Sequence, residues 1–373
     1  MPVNRALGAV GENAFLSLWG ERLRRHPGQL NALHEADAEL VPLPGTGRLL
    51  AVTTDTVAEE IALGFYRDAE TVGWVAAAAS LSDLAAVAAE PVGLLAAVTL
   101  PREAPRAFAE GLAKGLDAAA QAAGTWILGG DTNVADAASV TTTAVGTVAA
   151  DERLTRVGCA AGDAVYASGQ LGAGALPVMR AMGLAAGAPG PPSADGPAAA
   201  EFRPCPRLRE ARLLVGWASA CMDTSDGLVA TLDQLSRLNG VGFDVTVPIA
   251  DILVAEAHAA CRGAGLDPLL ALAQPHGEFE LVFTVSAERE EAFELHAQEN
   301  GFEPVRLGVV TALGAGDAGL RFSGDGAPRD LDGARIRNLQ DETGADLARY
   351  AAALAALLAT PLPPRAPAGA GPR

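Results

Sequence analysis

The chain has 373 residues, 27 basic and 45 acidic, for a formal charge of -18; half are hydrophobic but only 5% aromatic. That length predicts about two domains, and the composition predicts a folded core built from Ala, Val and Leu. The only lysine, Lys114, sits in GLAKGL, outside any Gly-Lys-Ser/Thr loop, and no basic stripe is visible, which excludes the lysine-based phosphate loop and a nucleic-acid surface.

Cys159, Cys205, Cys221 and Cys261 form no C-x-x-C pair, and the opening MPVNRALGAV has no cationic stretch followed by a long apolar run. A cytoplasmic protein without disulfide framework, zinc knuckle or export signal is expected. The apolar stretch from Val72 to Leu100 is broken by Ser80, Asp83, Glu90 and Pro91, too often to span a bilayer.

In chain order, Phe15, Leu16, Trp19 and Leu23 space an amphipathic helix over Gly11 to Arg25. LLAVTTDT (Leu49 to Thr56) reads as a strand, and Thr71 to Glu90 as an Ala-rich helix stopped by Pro91. GLLAAVTL follows as a strand, Ala104 to Ala123 as a helix, then TWILGGD and SVTTTAVGTVA as strands. Beyond a boundary near Asp151 to Asp163 come the strand AVYASG, a Gly-rich loop (Gly169 to Gly174) and a helix. A Pro/Gly/Ala insertion (183–200), a helix from Arg207 to Ala218, ACMDTSDGL, a helix to Leu238, and strands near Phe243 and Leu281 complete the pattern. The mixture predicts an α/β or α+β architecture with domains at 1–150 and 151–345 and a C-terminal helix and disordered tail at 346–373.

Carboxylates recur at the ends of elements: Asp55 in TTDT, Asp131 in GGDT, Asp223 and Asp226 in MDTSDG, Asp37 in HEADAEL and Asp83 in SLSDLAAVAAEP. One such Asp is more often a cap than a ligand, so the reading rests on the set. Six of them suit Mg²⁺, which takes hard oxygen ligands and binds nucleotides through their phosphates. Thr53, Thr54 and Thr132 add hydroxyls, Gly129 and Gly130 would let the backbone approach a phosphate, and Ser225 can offer its hydroxyl or amide. Arg153 and Arg156 would supply planar donors. The five histidines (26, 34, 258, 276 and 296) share no ligand spacing and are expected to be surface or packing residues.

Taken in order, GENAFL, DAEL, VTTDT, SLSDLAAVAAEP, ILGGDT, TTTAVGTV, RVGCAAGDAVYASGQLG, RPCPR, MDTSDGL and GEFELVFT resemble the thiamine-monophosphate kinase branch of the aminoimidazole ribonucleotide synthetase superfamily. The resemblance implies a two-domain fold whose N-terminal sheet pairs across a homodimer, with ATP and Mg²⁺ as cofactors. By position it implies Asp37, Thr53, Thr54, Asp55, Asp83, Asp131, Asp223 and Asp226 as metal ligands. Gly129, Gly130, Asp131, Arg156 and Ser225 would contact nucleotide, with Asp131 and Asp226 catalytic. The implied reaction passes the ATP γ-phosphoryl to a phosphate-bearing small molecule.

Three departures lie on the acceptor side. Where the family has a histidine seven residues after the TTD aspartate, this chain has Glu60, Ile61 and Ala62, followed by Leu63, Gly64 and Phe65. The acid-acid-Tyr-Glu-Leu stretch becomes Gly277, Glu278, Phe279, Glu280 and Leu281, with Glu278 and Phe279 as implied substrate contacts, and the C-terminal tryptophan motif is missing. The acceptor is therefore the part of the reaction where a difference from thiamine monophosphate is expected. The competing readings are a synthetase or dehydratase of the same superfamily that activates an amide or carboxyl oxygen, and a non-catalytic nucleotide-binding paralogue.

Overall fold

The structure is a computed structural model, which describes residues 12–20, 22–184, 202–314, 319–344 and 346–359. Most of the expected insertion (185–200) and the tail from residue 360 lie outside the described residues.

The N-terminal half contains α1 (Glu12–Gly20), β1 (Glu39–Pro42), β2 (Arg48–Val57), α2 (Glu59–Ala62), α3 (Ala69–Ala86), β3 (Glu90–Leu100), α4 (Arg106–Ala122), β4 (Ile127–Val134) and β5 (Ser139–Ala149). Its sheet runs β1-β2-β5-β3-β4, with only the β3–β4 pair parallel. β5 alternates buried and half-buried residues along its whole length, the period-2 pattern of a sheet with one covered face. Val140, Ala144 and Val148 face the core, together with Leu49 and Ala51 of β2.

The covering helix is α3, started by Asp68, whose side chain accepts from the Thr71 backbone N–H at 2.8 Å. It is buried nearly all round, as a helix without a polar face must be. One side packs on β2, β5 and α4, while the other meets the C-terminal half. Asp83 is thereby carried into the junction between the halves.

α3 ends at Ala86, earlier than the sequence suggests, and Ala88 adopts a left-handed conformation (φ 57°). Pro91 does not stop the helix; it lies within β3. Residues 90–93 of β3 pair with β5 alone, so the missing proline N–H falls on an unpaired edge, where it costs no ladder bond.

The loop 150–163 leads into β6 (Ala164–Ala167), α5 (Ala175–Ala181), α6 (Leu208–Leu214), β7 (Ala218–Asp223), α7 (Gly227–Asn239) and β8 (Val241–Val245). β9 (Leu281–Val285), β10 (Val305–Ala312), β11 (Gly319–Phe322) and β12 (Arg329–Asp332) complete a seven-stranded sheet, β12-β11-β8-β10-β6-β9-β7. Both faces of its centre are covered. Val165, Ala167, Met222 and Val282 enter one cluster, whereas Tyr166, Cys221, Phe283 and Val285 enter another with Ala85 and Ala86 of α3. Each fully buried Leu or Phe contributes roughly 1.5–3 kcal/mol, and double coverage explains why β6 and β9 read as unbroken apolar runs. Among the described residues no helix is long and apolar enough to cross a membrane.

Candidate functional site

β1 pairs with residues 49–52 of β2 only, so the edge of β2 from Thr53 onward is left open. A cleft of about 770 Å³ runs along it, closed by α3, the loop around Asp37, the end of β7 and the start of α7. Strand alternation turns Thr53 and Asp55 toward α3, the face buried at Leu49 and Ala51, and leaves Thr54 and Thr56 on the open face bonded to Thr143 and Thr141.

Asp37, Asp83 and Asp223 come from a loop, a helix and a strand end, yet one oxygen from each lies within 4.8 Å of the others. Thr53 Oγ1 donates to Asp83 Oδ2 at 2.5 Å. Ser82 Oγ and Ser225 Oγ donate to Asp223 at 2.7 and 2.9 Å. Arg156 Nη2 donates to Asp37 Oδ1 at 2.7 Å, and its backbone N–H bonds the Glu35 carbonyl at 2.8 Å, tying the Asp37 loop to the segment between the halves.

The electrostatics are set by burial and by mutual repulsion among the carboxylates. Burial, then Asp55, Asp223 and Asp37, push the Asp83 carboxyl well above its usual range. Burial and Asp37 raise Asp223 to about 7 against the pull of Ser82, Arg156 and Ser225. Burial works against the charge on Arg156, but Asp37, Asp83 and Asp223 outweigh it and raise its pKa. Two like charges at this spacing repel by about 3 kcal/mol at an effective dielectric near 20, so one guanidinium cannot balance three carboxylates. Asp37 Oδ2 is also buried without a hydrogen-bond partner. Hard oxygen donors, excess negative charge and an orphaned carboxylate oxygen fit a divalent cation such as Mg²⁺.

Of the expected site residues, Asp37, Thr53, Thr54, Asp55, Asp83, Arg156, Ser225, Asp226 and Phe279 line the cleft, and Asp223 joins it through the carboxylate triad. Gly129, Gly130, Asp131 and Thr132 do not. They lie on β4, three strands from β2, where Asp131 is in register with Ala97, Thr141 and Thr56, roughly 14 Å away at the usual strand spacing. Asp131 is exposed and accepts from Asn133 Nδ2 at 2.9 Å. A Cβ on Gly130 would meet the Ala96 carbonyl at 1.8 Å, so this glycine serves the close approach of β3 and β4. Arg153 is exposed and bonds the Ala150 carbonyl, away from the cleft.

Glu278 is buried and points away from the cleft. Its Oε2 accepts from the Gly172 N–H at 2.6 Å and its Oε1 from Thr224 Oγ1 at 3.1 Å, with burial raising its pKa to about 7. It ties the Gly-rich loop to the turn before α7. Glu280 is likewise structural, held by Arg207 and Ser168. Gly277 replaces the family's first acid where the backbone is too close for any side chain: a Cβ would fall 1.4 Å from the Thr224 carbonyl.

Three further cleft residues were not read as site residues from the sequence. His34 has a left-handed backbone (φ 68°) and a buried, unpartnered Nε2. His276, read as a surface or packing residue, is a buried packing residue; burial lowers its pKa to about 4, and it bonds Tyr66 amid Phe65, Phe202 and Phe279. Glu60 lines the cleft with Oε2 buried and unpartnered. The partner of His276, Tyr66, lies 210 residues away in sequence, so no local spacing could have revealed that contact.

Comparison with known proteins agrees with this geometry. Residues 35–148 match the AIR synthase related protein N-terminal domain, and residues 160–320 its C-terminal domain. The chain is 34% identical over 264 residues to the thiamine-monophosphate kinase of Halobacterium salinarum, covering 70% of this chain and 82% of that one. The crystal structure of thiamine-monophosphate kinase from Stenotrophomonas maltophilia K279a aligns with a TM-score of 0.62 at 28% identity, over 80% of this chain and 92% of that one. AaThiL complexed with AMPPCP and TMP aligns at 0.69 over 86% and 96%; at 22% identity this shows the fold. A two-domain α/β chain of this architecture, with Asp37, Asp55, Asp83, Asp223 and Asp226 gathered at one cleft, belongs to the thiamine-monophosphate kinase family of AIR synthase related proteins.

Proposed function

We propose that the chain is an ATP- and Mg²⁺-dependent phosphotransferase that passes the γ-phosphoryl group of ATP to thiamine monophosphate or a close phosphate monoester. The observation that carries this is the Asp37–Asp83–Asp223 cluster beside Arg156, in a chain whose curated relatives are thiamine-monophosphate kinases. An acceptor monoester has a second pKa near about 6, so its oxygen is largely deprotonated at neutral pH and needs no protein base. Two anions must then be held in line and their repulsion neutralised. Asp37, Asp83 and Asp223, with Thr53 and Asp55 beside them, would hold Mg²⁺, which supplies that neutralisation when bound. Arg156, locked by Asp37, presents a permanent cation to phosphate oxygens. Ser225, at the entry to α7, offers its hydroxyl and amide at the helix N-terminus.

A homodimer completes this reading. Trp126, Leu128 and Val134 on the β4 edge, with Val92 and Leu95 of β3, are exposed apolar residues of the kind that interfaces cover. A second copy paired over this face would bring its Asp131 toward the open side of β2. The four cysteines are free, which suits a reducing cytoplasm. A synthetase or dehydratase reading has less support, because no cysteine lines the cleft among the described residues.

Calorimetric titration with AMPPCP tests the proposal. Binding that requires Mg²⁺ and is lost in Asp83→Asn is expected; equal binding by that variant, or none by wild type, refutes it.

A further inference from the structure

The acceptor half of the cleft departs from the family pattern, and the structure reduces what is left there to a few groups. Ala62 and Gly277 stand where the resemblance expects a histidine and an acid, Gly277 admits no side chain, and Glu278 is turned into the Gly-rich loop. Val57, Glu60, Pro275, His276 and Phe279 are among the residues that line the same cleft.

Glu60 is unusual among them. Its Oε2 is buried and accepts no hydrogen bond, a state that costs free energy unless a donor or cation arrives. Burial raises its pKa, hydrogen bonds from the backbone of Glu60 and Ala58 pull it back, and the charges of Glu59 and Asp226 raise it further. Tyr66 in turn feels the Glu60 charge and bonds His276. Glu60, His276, Phe279 and Asp226 all line the same cleft. Phe279, held at φ 61°, stands edge to face with His276 at a centroid distance of 6.0 Å. The neutral imidazole and the phenyl ring present aromatic surface without competing for the carboxylate.

We propose that Glu60, with the aromatic surface of His276 and Phe279, forms the subsite for a cationic heteroaromatic group of the phosphate acceptor and sets acceptor specificity. A carboxylate with one orphaned buried oxygen and aromatic rings lining the same cleft attract a flat cation by charge and by cation–π contact. A group seated there would direct a phosphate on a short arm toward Asp226 and the carboxylate cluster. This inference rests on the phosphotransferase reading above and adds to it the residue that reads the acceptor.

The test is steady-state kinetics of the full-length protein with thiamine monophosphate, whose thiazolium ring is cationic, and with an analogue bearing an uncharged ring and the same phosphate. Glu60→Gln is expected to raise KM for thiamine monophosphate by about 10-fold or more, with kcat within about 3-fold and KM for ATP unchanged. It should also erase the preference for the charged ring, and Glu60→Asp should restore part of it. If wild type is active but Glu60→Gln keeps both KM and preference, the subsite is refuted while the kinase reading stands. If Glu60→Gln lowers kcat and shifts KM for ATP equally, or loses Tm, Glu60 is structural and the subsite is again refuted. No activity of wild type with either acceptor refutes the phosphotransferase reading, and the subsite with it.

Discussion

Replacing Asp223 by asparagine should move stability and cation response in opposite directions. Asp223 is fully buried, bonded by Ser82 and Ser225, and faces Asp37 and Asp83. Its carboxyl rises from 3.8 to about 7, so the fold favours the protonated form; that contribution is complete below 3.8 and is lost as pH rises through about 7. The gap is roughly 3 units, or about 4 kcal/mol of strain in the ionised, cation-free protein at about 1.36 kcal/mol per unit. Asparagine keeps an oxygen for the two serines and carries no charge. In EDTA at pH 8, Asp223→Asn should therefore melt roughly 5–10 °C above wild type, whereas at pH 5 the gap should shrink to roughly 40% of that, and only below 3.8 should the two nearly coincide. Adding Mg²⁺ at pH 8 should raise the wild-type Tm and leave the variant's almost unmoved. Differential scanning calorimetry in the two buffers reads both effects. A variant less stable than wild type in EDTA at pH 8, or one with an undiminished Mg²⁺ shift, would show that the triad is not an uncompensated cation site.

Other expectations follow from the same geometry. His276 falls to about 4 from 6.5, so its stabilising contribution is present above 6.5 and lost as pH falls toward 4, roughly 3 kcal/mol in all; urea melts of Tyr66→Phe/His276→Phe should show a flatter acid limb, and an unchanged limb would assign acid sensitivity elsewhere. Gly277→Ala should cost roughly 3 kcal/mol or more by denaturant unfolding, because its Cβ would overlap the Thr224 carbonyl; a neutral effect would contradict the close approach. Co-expressed Asp131→Asn and Asp223→Asn, each inactive alone, should recover about one quarter of wild-type activity if each site takes Asp131 from the other copy. No recovery would return Asp131 to its own chain's site or to none.

The sequence carried the local part of this picture well. Alternation in β5 and the hydroxyl-rich end of β2 were legible because each strand's pattern records which face is covered. The grouping of Asp37, Asp83 and Asp223 was also reached, since each lies in a distinctive motif. The position of Asp131 was not, because motif order along a chain does not give strand order in a sheet: β4 follows β3 in sequence yet lies three strands from β2. Glu278 looked like a substrate contact for a similar reason. Its neighbour Phe279 enters the cleft, while Glu278 itself turns toward Gly172, a partner 106 residues away. Pro91 misled the helix boundary because an unpaired stretch of β3 accepts proline as readily as a helix end does.

The most direct test of the proposed activity is ³¹P NMR of the purified protein with ATP, Mg²⁺ and thiamine monophosphate. Loss of the monoester signal, with matching growth of ADP and of a new diphosphate ester, is the predicted result. Release of inorganic phosphate without a diphosphate ester, or no turnover of ATP with any monophosphate tried, would contradict it.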